Sequence, residues 1–133
     1  MSELVVDASA FVDVLISAPA ARPVTERLRG HRLHAPAHFD AEVLSALGRL
    51  ARAGALSDDQ VDVRLARLST APLHRHALPE LLDGAWRRRH DTRLVDALYV
   101  ELAAQLDDAL LITTDARLAA VTPTAELVGP PDA

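Results

Sequence analysis

Leu4-Val5-Val6-Asp7-Ala8-Ser9-Ala10 and Leu111-Ile112-Thr113-Thr114-Asp115 share one pattern: a short apolar run, rich in β-branched residues, that stops on an aspartate. Runs of this length and composition read as strands buried on both faces. Strands of that kind belong to a parallel sheet covered by helices. In such open α/β sheets ligands bind beyond the carboxyl ends of the strands, which is where Asp7 and Asp115 fall.

The sequence between them supplies the rest of the alternation. A short apolar helix over 11–16 follows the first strand, 4–6. Pro19 and Pro23 interrupt, and a helix carrying Val24 and Leu28 stops at Gly30. A second strand is expected over 32–35, with Pro36 opening a helix that runs to about Ala53 and closes at Gly54. Ser57-Asp58-Asp59-Gln60 has the form of a capping box, with Val61, Leu65 and Leu68 at helical spacing behind it. A third strand over 73–77, a helix from Pro79 to the basic run Arg87-Arg88-Arg89, a helix over 94–106, a strand over 109–113, a short helical turn after Asp115 and a weak strand over 126–128 complete the chain. The alternation predicts a three-layer α/β/α domain with a mostly parallel central sheet. Residues 1–128 are expected to form a single domain and 129–133 a loose tail.

Bulk properties narrow the function. A chain of 133 residues suits one domain with one core. With no cysteine, neither disulfides nor thiolate metal sites are available, which fits a reducing compartment. The N-terminus carries neither a basic segment nor a long apolar stretch, so a cytoplasmic protein without a membrane span is expected. The formal charge of −5 argues against a simple basic-patch nucleic-acid binder. All 14 basic residues are Arg. The absence of Lys removes Schiff-base catalysis, a Walker-type phosphate loop and a lysine-reading receiver, and leaves Arg as the charged phosphate clamp.

Four acids stand out. Asp7 ends a buried strand, where a charge needs a partner, although Asp7 or Ser9 would also serve as an N-cap for the next helix. Asp96 lies in a helix apolar nearly all round, on the face shared by Tyr99 and Ala103 and away from an expected solvent stripe of Ala97, Glu101 and Gln105. Glu42 falls with His38, Ser45 and Arg49 on the side opposite the apolar stripe of Val43, Leu47 and Leu50, and by itself reads as a solvated glutamate. Asp115 is equally a helix cap, and Thr113 and Thr114 either support nearby carboxylates or finish the strand. Like charges gathered at one sheet end repel by roughly 4 kcal/mol per pair at ~4 Å and an effective dielectric near 20. A hard cation among them, Mg²⁺ or Mn²⁺, removes that cost and suits an all-oxygen site.

Other candidates carry less. His74 and His76 share a strand face at a spacing compatible with zinc, but a third ligand is lacking, and edge-strand polarity accounts for them. Asp107 and Asp108 read as loop acids. The Arg87-Arg88-Arg89 run complements a helix end or holds RNA phosphates. A Gly-rich nucleotide loop, a Gly-x-Ser-x-Gly elbow and a Cys/His zinc module are all absent.

In order and spacing, Val5-Val6-Asp7-Ala8-Ser9, Glu42, the stretch from His90-Asp91-Thr92-Arg93 through Asp96-Ala97-Leu98-Tyr99-Val100-Glu101-Leu102-Ala103, and Leu111-Ile112-Thr113-Thr114-Asp115-Ala116-Arg117-Leu118 resemble the PIN-domain family. The chain resembles most closely the VapC toxins of type II toxin–antitoxin pairs, over essentially its full length. The resemblance implies a PIN-like fold and makes Asp7, Glu42, Asp96 and Asp115 an acidic quartet holding Mg²⁺ or Mn²⁺, with Ser9 supporting the first Asp. Thr114 stands where the family often has a smaller residue, and Asp40 adds an acid near Glu42. Also implied are metal-dependent hydrolysis of single-stranded or loop RNA to 3′-hydroxyl and 5′-phosphate ends, a homodimer, and a VapB-like antitoxin that blocks the site. That antitoxin is expected to dock on apolar surface around 11–16 and 43–50. Two alternatives stay open: a housekeeping PIN nuclease, and a small metal-dependent phosphatase, against which Ser9 counts because it stands where a second Asp is usual.

Overall fold

The computed structural model describes residues 2–130. Its strands are β1 (Glu3–Val6), β2 (Arg32–Pro36), β3 (His74–His76), β4 (Leu110–Thr113) and β5 (Ala125–Leu127). They form one sheet in the order β3-β2-β1-β4-β5, with every neighbouring pair parallel. The helices are α1 (Ala8–Leu15), α2 (Ala21–Leu28), α3 (Phe39–Arg52), α4 (Asp58–Ser69), α5 (Leu82–Arg87), α6 (Leu94–Gln105) and α7 (Ala116–Val121), with a 3₁₀ turn at Pro79–Leu81. α1 packs on α2, α3 and β4, while α6 pairs with α5 and crosses β2, β1 and β4. The expected three-layer α/β/α arrangement, with a wholly parallel sheet, is present.

The chain leaves β1 for β2 and β3 on one side, then returns to place β4 and β5 on the other. The strand order therefore reverses between β1 and β4, and the crevice at their carboxyl ends is the topological switch point. The ladder runs one step past β1, because the Asp7 N–H donates to the Ile112 carbonyl at 2.9 Å. Val5, Val6, Leu111 and Ile112 are fully buried, as strands covered on both faces require. None of the described helices is long and apolar enough to cross a membrane.

Local signals account for most boundaries. Ser57 accepts from the Gln60 N–H at 3.2 Å while the Gln60 side chain accepts from the Ser57 N–H at 2.8 Å, so the expected capping box starts α4. Gly54, at φ +78°, ends α3: its N–H donates to Ala51 and the next N–H to Leu50, satisfying carbonyls the last turn leaves free. Asp107 and Asp108 both take left-handed φ of 56° in the turn from α6 to β4, a conformation short polar residues tolerate.

Three expectations need correction. Pro36 is the last residue of β2 and does not open α3, which starts at Phe39. Proline lacks only the N–H, and its carbonyl side still fits a strand end. α1 starts at Ala8, directly after Asp7, rather than at Phe11. The proposed solvent stripe of α6 holds only at Gln105, which is exposed: Ala97 is fully buried, and Glu101 lies under α5, bonded to Arg88 at 3.1 Å and Gln105 at 2.9 Å. The exposed surface of its first turn is apolar, at Leu94 and Val95. Of the expected tail, Gly129 and Pro130 carry no regular structure, and 131–133 lie outside the described residues.

Candidate active site

Asp7 follows β1 directly, and its main chain caps α1 while its side chain makes no capping bond. The side chain turns toward β4. Its Oδ2 accepts from Ser9 Oγ at 2.6 Å and from Thr113 Oγ1 at 2.7 Å. The same hydroxyls tie the neighbouring chain in place: Ser9 Oγ accepts from the Thr114 N–H at 3.3 Å, and Thr113 Oγ1 from the Asp115 N–H at 2.9 Å. Thr113 is fully buried and Asp7 only 6% exposed. Asp7 is therefore positioned by a network joining the ends of β1 and β4, and its capping role is confined to the backbone.

The other acids arrive from separate elements. Glu42, in the first turns of α3, accepts from Tyr99 Oη at 2.7 Å. Its apparent solvent side faces α6, because His38 donates through Nε2 to the Val95 carbonyl at 3.0 Å and packs at a tilt against the Tyr99 ring. The reading of Glu42 as an ordinary solvated residue is thus corrected. Asp96, in the first turn of α6, is 15% exposed and bonded at 3.0 Å to Arg93 Nε. Asp115 precedes α7 and accepts from the Arg117 N–H at 2.9 Å, so it does cap that helix while remaining on the crevice.

All four acids line one cavity of about 330 Å³ together with Ser9, Asp13, Arg49 and Arg93. Their electrostatics are those of a crowded anionic site. Burial raises the Asp7 carboxyl above its ordinary value, the Ser9 and Thr113 hydroxyls oppose that rise, and the charges of Asp96 and Glu42 add to it. Burial, then Glu42, pushes the Tyr99 hydroxyl far up, so Tyr99 remains a neutral donor. Asp96 and, less strongly, Asp115 and Glu42 raise the Arg93 guanidinium further above its already high value.

Asp7 Oδ1 meets no protein donor among the described residues, and the surrounding groups are carboxylates and hydroxyls, an oxygen set suited to Mg²⁺ or Mn²⁺. The residues fit such an ion in kind. As they stand, no three His, Asp or Glu side chains among the described residues are gathered to hold one, so an ion bound here would take waters alongside one or two carboxylates.

The four acids foreseen from sequence share this cavity, and Ser9 and Thr113 support Asp7. Sequence reasoning missed Arg93, Arg49 and the bond from Tyr99 to Glu42. The three-residue step from Arg93 to Asp96 was a readable helical pairing signal. His74 and His76 stand apart from the cavity, on edge strand β3, but they are not alone: His34 Nδ1 lies 2.9 Å from His76 Nε2, and His34 Nε2 lies 3.2 Å from Glu3. His74 packs edge to face against both His34 and His76, and the group shares no residue with the acidic cavity.

Comparison with known proteins identifies the family of the chain. Residues 4–122 match the PIN domain family. Ribonuclease VapC3 of Mycobacterium tuberculosis is 53% identical over 128 residues, covering 96% of this chain and 93% of the relative. The crystal structure of PAE2754 from Pyrobaculum aerophilum superposes with a TM-score of 0.69 at 26% identity, over 96% of this chain and 90% of that one. A toxin–antitoxin complex from Klebsiella pneumoniae shares the fold, with a TM-score of 0.66 at 17% identity over 92% and 95% of the two chains. By the span of the family match and the identity to VapC3, the chain belongs to the PIN-domain family, among its VapC-type members.

Proposed function

We propose that the chain is a Mg²⁺- or Mn²⁺-dependent endoribonuclease toxin that hydrolyses phosphodiester bonds in single-stranded or loop RNA. The observation that carries this reading is the cavity in which Asp7, Glu42, Asp96 and Asp115 meet at the switch point of a parallel sheet. Identity to a ribonuclease over nearly the whole chain supports it. When bound, a divalent cation supplies charge neutralisation and an activated water. The protein's own part is positional. Ser9 and Thr113 hold Asp7 with one oxygen free, Tyr99 holds Glu42, and α6 presents Asp96 from the opposite layer. Arg93, Arg49 and Arg117 ring the acids with cations available to phosphate. Unpaired bases and an exposed backbone let a single strand enter such a cleft.

A homodimer and a VapB-like antitoxin belong to the same proposal, the antitoxin being supported by the toxin–antitoxin complex that shares the fold. The expected docking surface shifts, since Val43 and Leu47 are fully buried. Leu44 is exposed instead and lines a groove of about 820 Å³ between α3 and α4 with Ala41, Leu65 and Arg75. An amphipathic helix fits such a groove, and an Arg following it would meet the acids with charge-assisted bonds.

The test is cleavage of single-stranded RNA by purified protein, resolved on denaturing gels with Mn²⁺, Mg²⁺ or EDTA. Cleavage is expected with either metal and not with EDTA. Asp96→Asn is expected to lower the rate at least about a hundredfold, the loss of roughly 2.7 kcal/mol of transition-state stabilisation. Full activity in EDTA, or in Asp96→Asn, overturns the metal site. Growth arrest on expression, relieved by the adjacent small open reading frame, separates a toxin from a housekeeping nuclease.

A further inference from the structure

Arg93 is an unusual residue for its place. It is the N-cap of α6 and makes no capping bond, where Ser, Thr, Asp or Asn would satisfy a free N–H. A cation there also opposes the positive end of the helix dipole. The compensation lies in the cavity: the Arg93 side chain bends back across the first turn and its Nε donates to Asp96 Oδ2 at 3.0 Å. It lines the cavity along with the four acids, and Asp115 and Glu42 bear on its charge in addition to Asp96. The guanidinium thus provides positive charge where the proposed function requires a divalent cation.

The pair is also easily opened. The Arg93 side chain is 63% exposed while Asp96 is 15% exposed, so the guanidinium can swing into solvent, and a pair open to water on that side contributes little against a competing cation. We infer that Arg93 is a displaceable counter-ion of the acidic cavity: it holds Asp96 in the cation-free protein and turns to an RNA phosphate when a divalent cation takes Asp96. This inference rests on the proposed metal-dependent nuclease. It accounts for an oxygen-rich cavity in which no ready ion cage is formed, and it gives the freed guanidinium a ligand that its planar fork binds well.

The experiment measures Mn²⁺ binding by electron paramagnetic resonance at neutral pH, and kcat and KM on a single-stranded oligoribonucleotide at saturating Mn²⁺. Arg93→Gln is expected to bind Mn²⁺ about threefold to fivefold more tightly than the wild type, the range an exposed pair supports. Its KM is expected to rise, and Arg93→Lys is expected to recover part of that loss. Arg49→Gln removes the same charge from the cavity wall without touching Asp96, and its Mn²⁺ affinity is expected to change less. Unchanged or weaker Mn²⁺ binding in Arg93→Gln, an equal gain in Arg49→Gln, or an unaltered KM overturns the inference. If the wild type binds no Mn²⁺, or Asp96→Asn binds it equally well, the metal-site reading falls and this inference with it. Loss of Mn²⁺ binding in Asp96→Asn with no effect of Arg93→Gln sinks this inference alone.

Discussion

Asp7 sits in the least solvated position of the acidic group, and its energetics follow from that. Its folded-state carboxyl titrates above the ordinary value of 3.8, chiefly through burial. Below the unfolded value both states are protonated and Asp7 costs nothing. As pH rises past that value the unfolded chain ionises first, so stability falls until the folded carboxyl ionises too, and the loss then stays constant. Asp7→Asn removes this dependence while keeping an oxygen for Ser9 and Thr113. Thermal melts in EDTA between pH 4 and 8 are therefore expected to show the variant gaining on the wild type as pH rises, with the higher melting temperature at pH 7. A constant difference across the range counts against the assignment. The acid at the end of a buried run was legible because its cost is local. The setting of Glu42 was not: its partner Tyr99 is 57 residues away, and helix periodicity alone puts Glu42 in water.

At the scale of elements, the joint between α5 and α6 is the place where the chain departs furthest from its apparent pattern. A Cβ at Gly84 would fall on the Glu101 carboxyl group. Glu101 is not free to move aside without loss, since it is held by Arg88 and Gln105. Gly84→Ala is expected to destabilise the protein by about 1–2 kcal/mol in chemical denaturation, because overpacking outweighs the helix-propensity gain. In a Glu101→Ala background the same change is expected to be neutral or slightly stabilising. Equal effects in both backgrounds refute the contact. Sequence patterning found β1, β4, the α4 capping box and the parallel alternation, each of which depends on near neighbours. It misplaced the solvent side of α6, where Glu101 marks a contact with another helix and Leu94 and Val95 stay exposed, so polarity there does not report burial. It also opened α3 at Pro36, because one proline signal serves both a helix start and a strand end.

For the whole molecule, the balance of charge bears on how the proposed RNA substrate would be held. The chain carries 14 Arg and a net charge of −5. Much of the basic charge is already committed away from the cavity: Arg22, Arg27, Arg32, Arg75, Arg87 and Arg88 each pair with an acid. Near the acids the cations are Arg49, Arg93 and Arg117, the last two paired with cavity acids themselves, Arg93 with Asp96 at 3.0 Å and Arg117 with Asp115 at 3.5 Å. A single strand held by about three such contacts loses affinity with salt at a log–log slope of roughly −2, since each contact contributes about −0.7. Fluorescence anisotropy with a labelled oligoribonucleotide and Asp115→Asn, a variant expected to cleave poorly under the proposed function, titrated with KCl at fixed Mn²⁺, is expected to give that shallow slope. Arg117→Gln in the same background is expected to flatten it by about one contact. A slope steeper than about −4 would require more phosphate contacts than the cavity rim supplies. It would move the RNA path onto Arg87 and Arg89 at the end of α5, away from the acids. The shallow slope is the outcome consistent with an acidic protein that grips its substrate at the site of chemistry and nowhere else.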